Sequence, residues 1–295
     1  MADPVPANVL QGVDRWIGIP LCGLLTLVSK VLAPFRAGPE GAPQKMLFVK
    51  FAEQGSTVLA QGAIRAACEM VGRENVYFIV FQENRFILDL LGLIPEENVI
   101  TIRRDTPRDL LVESLAALRR IHALGIDTAI DMEFFSRSSA ALTYLTGARR
   151  RVGFHTFFGE GPYRGDLMTH RLLYNPYLHT SQIFTQLVKG ALQEPASLPT
   201  YGVIPDPVDR NPAAFMPLPG EEEEVRQILA EVSGVAEPFP LLLVNPNASD
   251  LLPLRKWETE RYIELSRRLL DRYPRAFIAM TGAPNEAGPI ADAAR

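Results

Sequence analysis

Short apolar runs, each followed by a polar turn and a stripe of helical spacing, recur along most of the chain. KMLFVKF (45–51) is continuous enough to be a buried strand. The turn AEQGST follows, with Ser56 placed to cap a helix whose apolar positions Val58, Leu59, Ile64, Ala67 and Val71 run to Gly72. VYFIVF (76–81) reads as a second strand and ENRFILDLLGL as a short helix. NVITI (98–102) is a third strand, and Pro107 opens a helix that ends near Gly125. TAIDM (128–132), SRSSAALTYLTG (136–147) and RRVGF (150–154) continue the alternation. Strands separated by helices of this length predict parallel βαβ units, hence an α/β sheet covered on both faces.

Residues 155–180 lose the rhythm; they are aromatic, glycine-rich and polar, as functional loops of this length often are. SQIFTQLVKGAL (181–192) closes the unit with a helix. A proline-rich link then leads to a second α/β series: EEEEVRQILAEVSG, PLLLVNP, WETERYIELSRRLLDRYP and AFIAMTG. Two strands make a thin sheet where about 4–6 are usual, so the second series is expected to be partial at Arg295. The expected division is an amino-terminal helix and linker (1–44), a first Rossmann-like domain (45–192), a linker (193–219) and a partial second domain (220–295).

Trp16–Leu32 is strongly apolar, with Lys30 inside it, and is shorter than the ~20 residues of a bilayer span. Asp3 and Asp14 stand where a signal peptide needs positive charge. Pro20 suits a first helical turn. Leu21, Leu24, Leu25, Val28, Val31, Leu32 and Phe35 form one stripe beyond it, with Arg15 and Trp16 at one end and Lys30 and Arg36 at the other. This pattern fits a helix lying in a membrane interface. A helix packed on the protein and a true span are the alternatives.

A net charge of −4 speaks against a nucleic-acid partner. Two cysteines, Cys22 and Cys68, make no disulfide framework and no CxxC metal site, and the four histidines show no zinc spacing. No GxGxxG, GxxxxGK[ST] or GxSxG occurs. No metal and no cofactor is therefore expected, and dinucleotide dehydrogenase, P-loop kinase and serine hydrolase readings lose support.

Ligands of open α/β sheets bind outside the carboxyl ends of strands. Four turns are expected there. AEQGST carries Glu53, Gly55 and Ser56, and MEFFSRSS carries Glu133. NPNASDLLPLRKW combines Ser249 with Arg255 and Lys256, a donor set suited to a diphosphate, or else a solvated basic turn. TGAPNE places Glu286 where a carboxylate can hold ribose hydroxyls, or cap a helix.

The order of these blocks resembles glycosyltransferase family 9, the heptosyltransferase-like enzymes. KMLFVKFAEQGSTVLAQGAIRAA is similar to that family's opening strand, turn and helix. AIDMEFFSRSSAALTYLTGARRRVGF resembles its fourth-strand block, and His179 stands where the family has a histidine before a helix. VNPNASDLLPLRKWETERYIELSRRLL and IAMTGAPNE resemble its nucleotide-side motifs. The resemblance implies a GT-B architecture, two Rossmann-like parallel-sheet domains facing a cleft, the first for the acceptor and the second for a nucleotide-diphospho-sugar. It implies inverting, metal-independent transfer of a heptose-like or other sugar to a lipid-linked or envelope glycan such as lipopolysaccharide. Ser249, Arg255 and Lys256 would meet the diphosphate and Glu286 the ribose. The enzyme would sit in the cytoplasm, attached peripherally to the inner face of the membrane. Two departures stand out. Ser56 replaces the family's aspartate, which makes Glu53 the first candidate for the base and Glu133 the second. The family's closing carboxy-terminal segment does not follow. Both keep open a non-catalytic nucleotide- or glycan-binding protein.

Overall fold

The computed structural model describes residues 7–35, 38, 41–155, 163–196, 198–203, 207–208, 216–234, 240–246 and 257–282. They fall in two compact units, 1–215 and 216–295. In chain order the helices are α1 (Ala7–Trp16), α2 (Gly18–Leu32), α3 (Gln54–Leu59), α4 (Gln61–Val71), α5 (Arg85–Leu91), α6 (Pro107–Leu124), α7 (Arg137–Leu145) and α8 (Thr180–Gly190), followed by α9 (Glu221–Ser233) and α10 (Thr259–Arg272).

The first unit is built on six strands: β1 (Met46–Val49), β2 (Val76–Phe81), β3 (Val99–Ile102), β4 (Thr128–Asp131), β5 (Arg150–Phe154) and β6 (His170–Leu172). Their order is β3-β2-β1-β4-β5-β6, and every neighbouring pair is parallel. The order reverses between β1 and β4, whose register sets Val49 opposite Asp131. β6 lies inside the stretch expected to lack structure. It is only three residues long, too short to show alternation.

Both faces of the sheet are covered, as a parallel sheet requires. Met46, Phe48, Phe78 and Ile130 pack on Ala63 and Ile64 of α4 and on Phe184 and Leu187 of α8. Leu47, Val49, Ile79 and Ile100 pack on Ala117 and Ile121 of α6 and on Leu142 of α7. Each fully buried side chain of this size contributes about 1.5–3 kcal/mol relative to exposure.

The amino-terminal helices form a further layer on α7. The helix starts earlier than Pro20 suggests. α1 precedes it, and the two are divided at Ile17, one residue past the Trp16 carbonyl to which Pro20 offers no N–H. Gly18 lets α2 approach α7: a Cβ there would lie 2.7 Å from Arg137 Cβ. Cys22 is buried against Ala140, Tyr144, Leu167 and Met168, and burial pushes its thiol up to about 11. Both cysteines are free. Asp14 caps α7 from outside that helix. Its Oδ1 accepts from the Arg137 and Ser138 amides at 2.9 and 2.8 Å and from the Ser138 hydroxyl at 2.8 Å. Its Oδ2 pairs with the Arg137 guanidinium at 3.2 Å.

The opposite face of α1 and α2 is apolar and exposed: Val13, Trp16, Ile17, Leu24, Leu27, Val31 and Phe35. The helical run Val9–Phe35 has 27 residues, and an 18-residue window within it has a mean hydropathy of 1.8; the run is long and apolar enough to cross a bilayer by length and composition. That run is longer than the apolar stretch in the sequence because α1 adds turns before Trp16.

In the second unit β7 (Leu241–Val244) pairs in parallel with β8 (Phe277–Met280), and α9 carries Glu221–Glu224 in its first turn, where the helix dipole favours acids.

Candidate active site

In a sheet of this order the crevice lies outside the carboxyl ends of the strands flanking the reversal. Here those strands are β1 and β4, and the residues just beyond them are Lys50–Gly55 and Met132–Phe135. Both turns carry a carboxylate that the sequence singled out, Glu53 and Glu133.

Glu53 has φ 67° and ψ 82°, and among the described residues it is the non-glycine residue with positive φ. A side chain in that region costs about 1–3 kcal/mol unless the surroundings impose it. Here the Glu53 carbonyl is gathered by the first turn of α3. It accepts from the Thr57 amide at 3.1 Å and from the Ser56 hydroxyl at 2.8 Å. The conformation turns the carboxylate outward, with 65% of the side chain exposed. Ser56 Oγ also donates to Glu53 Oε2 at 3.1 Å.

Ser56 therefore does not cap the helix. α3 begins two residues earlier, at Gln54, and Glu53 is its cap residue, with no side-chain cap bond. Gly55 sits in the first turn of α3 with open space where a Cβ would point, so neither its backbone nor a close neighbour demands glycine.

Glu133 is held differently. Its Oε1 accepts from the Phe51 amide at 2.7 Å and the Ala52 amide at 3.2 Å, which ties the β4 turn to the β1 turn. Asn84 clamps the β1 turn from the β2 side by donating to the Phe51 carbonyl at 2.9 Å. Below Glu133 lies Asp131, fully buried. Its Oδ1 accepts from the Glu133 amide at 3.0 Å; its Oδ2 accepts from Ser139 Oγ at 3.0 Å and pairs with the buried Arg164. Burial raises the Asp131 carboxyl from 3.8 to about 6 against the opposing pull of Arg164.

Between the two glutamates stands Lys50, which the sequence reading absorbed into a hydrophobic strand. Its side chain is fully buried, and its Nζ lies 3.7 Å from Glu53 Oε2 and 3.8 Å from Glu133 Oε1. The signal was present in the parity: Met46, Phe48 and Lys50 follow one face, so the lysine takes a core position. Beside it Phe134 stacks on Phe154 and Phe184, with Tyr174 edge-on, giving the β4 turn an aromatic wall.

His179 is the N-cap of α8. Its Nδ1 is 2.7 Å from Ser181 Oγ and 3.3 Å from the Ser181 amide. A capping role accounts for these contacts, and none joins it to Glu53 or Glu133. Ser249, Arg255, Lys256 and Glu286 lie outside the described residues. Among the described residues no group of three His, Cys, Asp or Glu side chains is placed to hold a metal ion. The hollows lined by Gly41, Arg150 and Glu194 and by His170, Gly190 and Gly202 include none of the residues of these turns.

No family model matches the sequence, and no curated protein matches it. Solved structures do. The Escherichia coli ADP-heptose lipopolysaccharide heptosyltransferase II is 16% identical with a TM-score of 0.61, over 85% of this chain and 69% of that one. A glycosyl transferase family 9 protein from Veillonella parvula is 12% identical with a TM-score of 0.61, over 85% and 65%. E. coli heptosyltransferase WaaC, with ADP-2-deoxy-2-fluoro heptose, is 18% identical with a TM-score of 0.54, over 84% and 73%. The chain thus spans about two thirds of the length of such proteins. It has the α/β fold of the heptosyltransferases, as the order of its sequence blocks implies.

Proposed function

We propose that the protein is a glycosyltransferase that moves a sugar from a nucleotide-diphospho-sugar to a glycan or glycolipid acceptor. The observation that carries the reading is the pair of carboxylates, Glu53 and Glu133, at the strand reversal of a heptosyltransferase-type fold. Glu53 is the proton acceptor in this reading. Its side chain is mostly exposed, whereas Glu133 is occupied by two backbone amides and organises the turn. The acceptor hydroxyl loses its proton to Glu53 as its oxygen bonds to the anomeric carbon, and the bond from that carbon to the diphosphate breaks. One displacement inverts the anomeric centre. Negative charge grows on the departing nucleoside diphosphate. Ser249, Arg255 and Lys256 are assigned to it without a metal, and Glu286 to the ribose. Gly55, Ser56 and His179 belong to the acceptor side, where the Phe134 wall suits a sugar ring.

The exposed apolar face of α1 and α2 supports attachment to the inner face of a membrane. Asp14 is turned toward α7, leaving Trp16, Leu27 and Phe35 on the outer face, with Arg15 against Trp16. A lipid-linked acceptor fits that placement.

The test is incubation with a panel of nucleotide-diphospho-sugars, ADP-heptose among them, with a glycolipid acceptor. Release of nucleoside diphosphate is expected. Binding without release would favour the second reading, a non-catalytic nucleotide- or glycan-binding protein, for which Ser56 in place of aspartate speaks.

A further inference from the structure

A buried lysine with no hydrogen bond calls for a reason. The Lys50 ammonium carries three N–H donors and makes no hydrogen bond among the described residues, although its nitrogen is shielded from solvent. Removing one partner of a buried ion pair is costly when it strands the other charge, but Glu53 is mostly exposed and Glu133 keeps two backbone amide donors. The position is one where an apolar residue would serve the fold, since Met46 and Phe48 precede it on the same face and the Phe184 ring centre lies 6.0 Å from Nζ. The charge sits at a core position, within ion-pair reach of both glutamates.

We infer that Lys50 is a positioning residue: its buried ammonium draws the Glu53 and Glu133 carboxylates toward one point at the strand reversal and so sets Glu53 for proton transfer. This rests on the glycosyl-transfer reading. The geometry supports it in three ways. Both carboxylates are within ion-pair reach of the one nitrogen, at 3.7 and 3.8 Å, on turns from different strands. Arg164, the other buried cation near the β4 turn, is committed to Asp131, Ser139 and the Phe154 carbonyl. Glu133 in turn fixes the Phe51 and Ala52 amides, so removing the ammonium would loosen the segment that carries Glu53. Lys50 touches no substrate in this scheme; it acts through the two glutamates.

The experiment compares Lys50→Met, Lys50→Arg and Glu53→Gln with the wild type. Lys50→Met should lower Tm by no more than about 5 °C and leave KM for donor and acceptor within about twofold. Its kcat should fall by about 100-fold, the scale of a misplaced general base. Lys50→Arg should recover part of that loss by restoring charge. The Lys50→Met/Glu53→Gln double variant should be no slower than Glu53→Gln alone, because both changes remove one function. A Lys50→Met kcat equal to wild type overturns the inference, as does a Tm lowered by more than about 5 °C with kcat per folded molecule unchanged. Amide hydrogen exchange over residues 51–57 reads Lys50 without turnover: faster exchange in Lys50→Met supports it, and unchanged exchange overturns it. A wild type that turns over no nucleotide sugar overturns the transfer reading alone and leaves the exchange result to decide on Lys50.

Discussion

Glu53 shows how a single residue trades stability for position. Its positive φ is the conformation glycine adopts without strain, and a glutamate stays there because the first turn of α3 gathers its carbonyl. Glu53→Gly should therefore stabilise the fold by about 1 kcal/mol and raise Tm by about 2–4 °C, while abolishing transfer. Calorimetry and turnover on the same preparation check both halves, and a lower Tm would show that the carboxylate also holds the turn. Asp131 makes the complementary point. Its carboxyl is raised from 3.8 to about 6, chiefly by burial, so the native state binds more protons than the unfolded state between these values. Stability from this group is full below about pH 4 and declines as pH rises through 6. Melting from pH 4 to pH 7 should show a steeper fall for the wild type than for Asp131→Asn. At this scale the sequence exposed Glu53 and Glu133 because carboxylates at strand ends are conspicuous. Lys50 was hidden by its apolar neighbours, since a run of hydrophobic residues does not say which face each one takes. Asp131 was hidden too, because only the fold brings Arg164 and Ser139 to it.

Among the elements, the α1–α2 pair carries the most distinctive physics. Its inward face, Asp14, Gly18, Cys22 and Thr26, recurs every fourth residue and is committed to α7 and to the 164–166 segment. Its outward face is apolar. Of the three alternatives open in the sequence, packing on the protein is what the inward face does; the outward face is the one the proposed membrane attachment would use. Trp16→Asp combined with Leu27→Asp should weaken sedimentation with phospholipid vesicles at least tenfold, because each replaces exposed apolar surface with a charge. Tm should stay within about 2 °C, since both side chains are exposed. Equal sedimentation would remove the membrane from the account. The regular elements were legible where periodicity had room to repeat, as in α6 and the first five strands. β6 and the early start of α3 were not: three residues show no alternation, and nothing in AEQGST announces that Glu53 leaves the ordinary backbone regions.

At the scale of the molecule, the order of the strands decides where chemistry can occur. A parallel sheet that reverses between β1 and β4 leaves one crevice at its carboxyl edge. The order follows from pairing between distant segments, and a chain-order reading of strands and helices does not contain it. The resemblance in block order did imply the fold, and the likeness to heptosyltransferase structures agrees with it at 12–18% identity. At that level the fold is shared and the chemistry has to be argued from the residues in place. The measurement that bears most directly on the account is nucleoside diphosphate release from a nucleotide sugar in the presence of a glycolipid acceptor, wild type against Glu53→Gln, with donor affinity measured separately. The account predicts a rate lower by about 10²–10⁴ in the variant at unchanged donor Kd. A variant as fast as the wild type would contradict it.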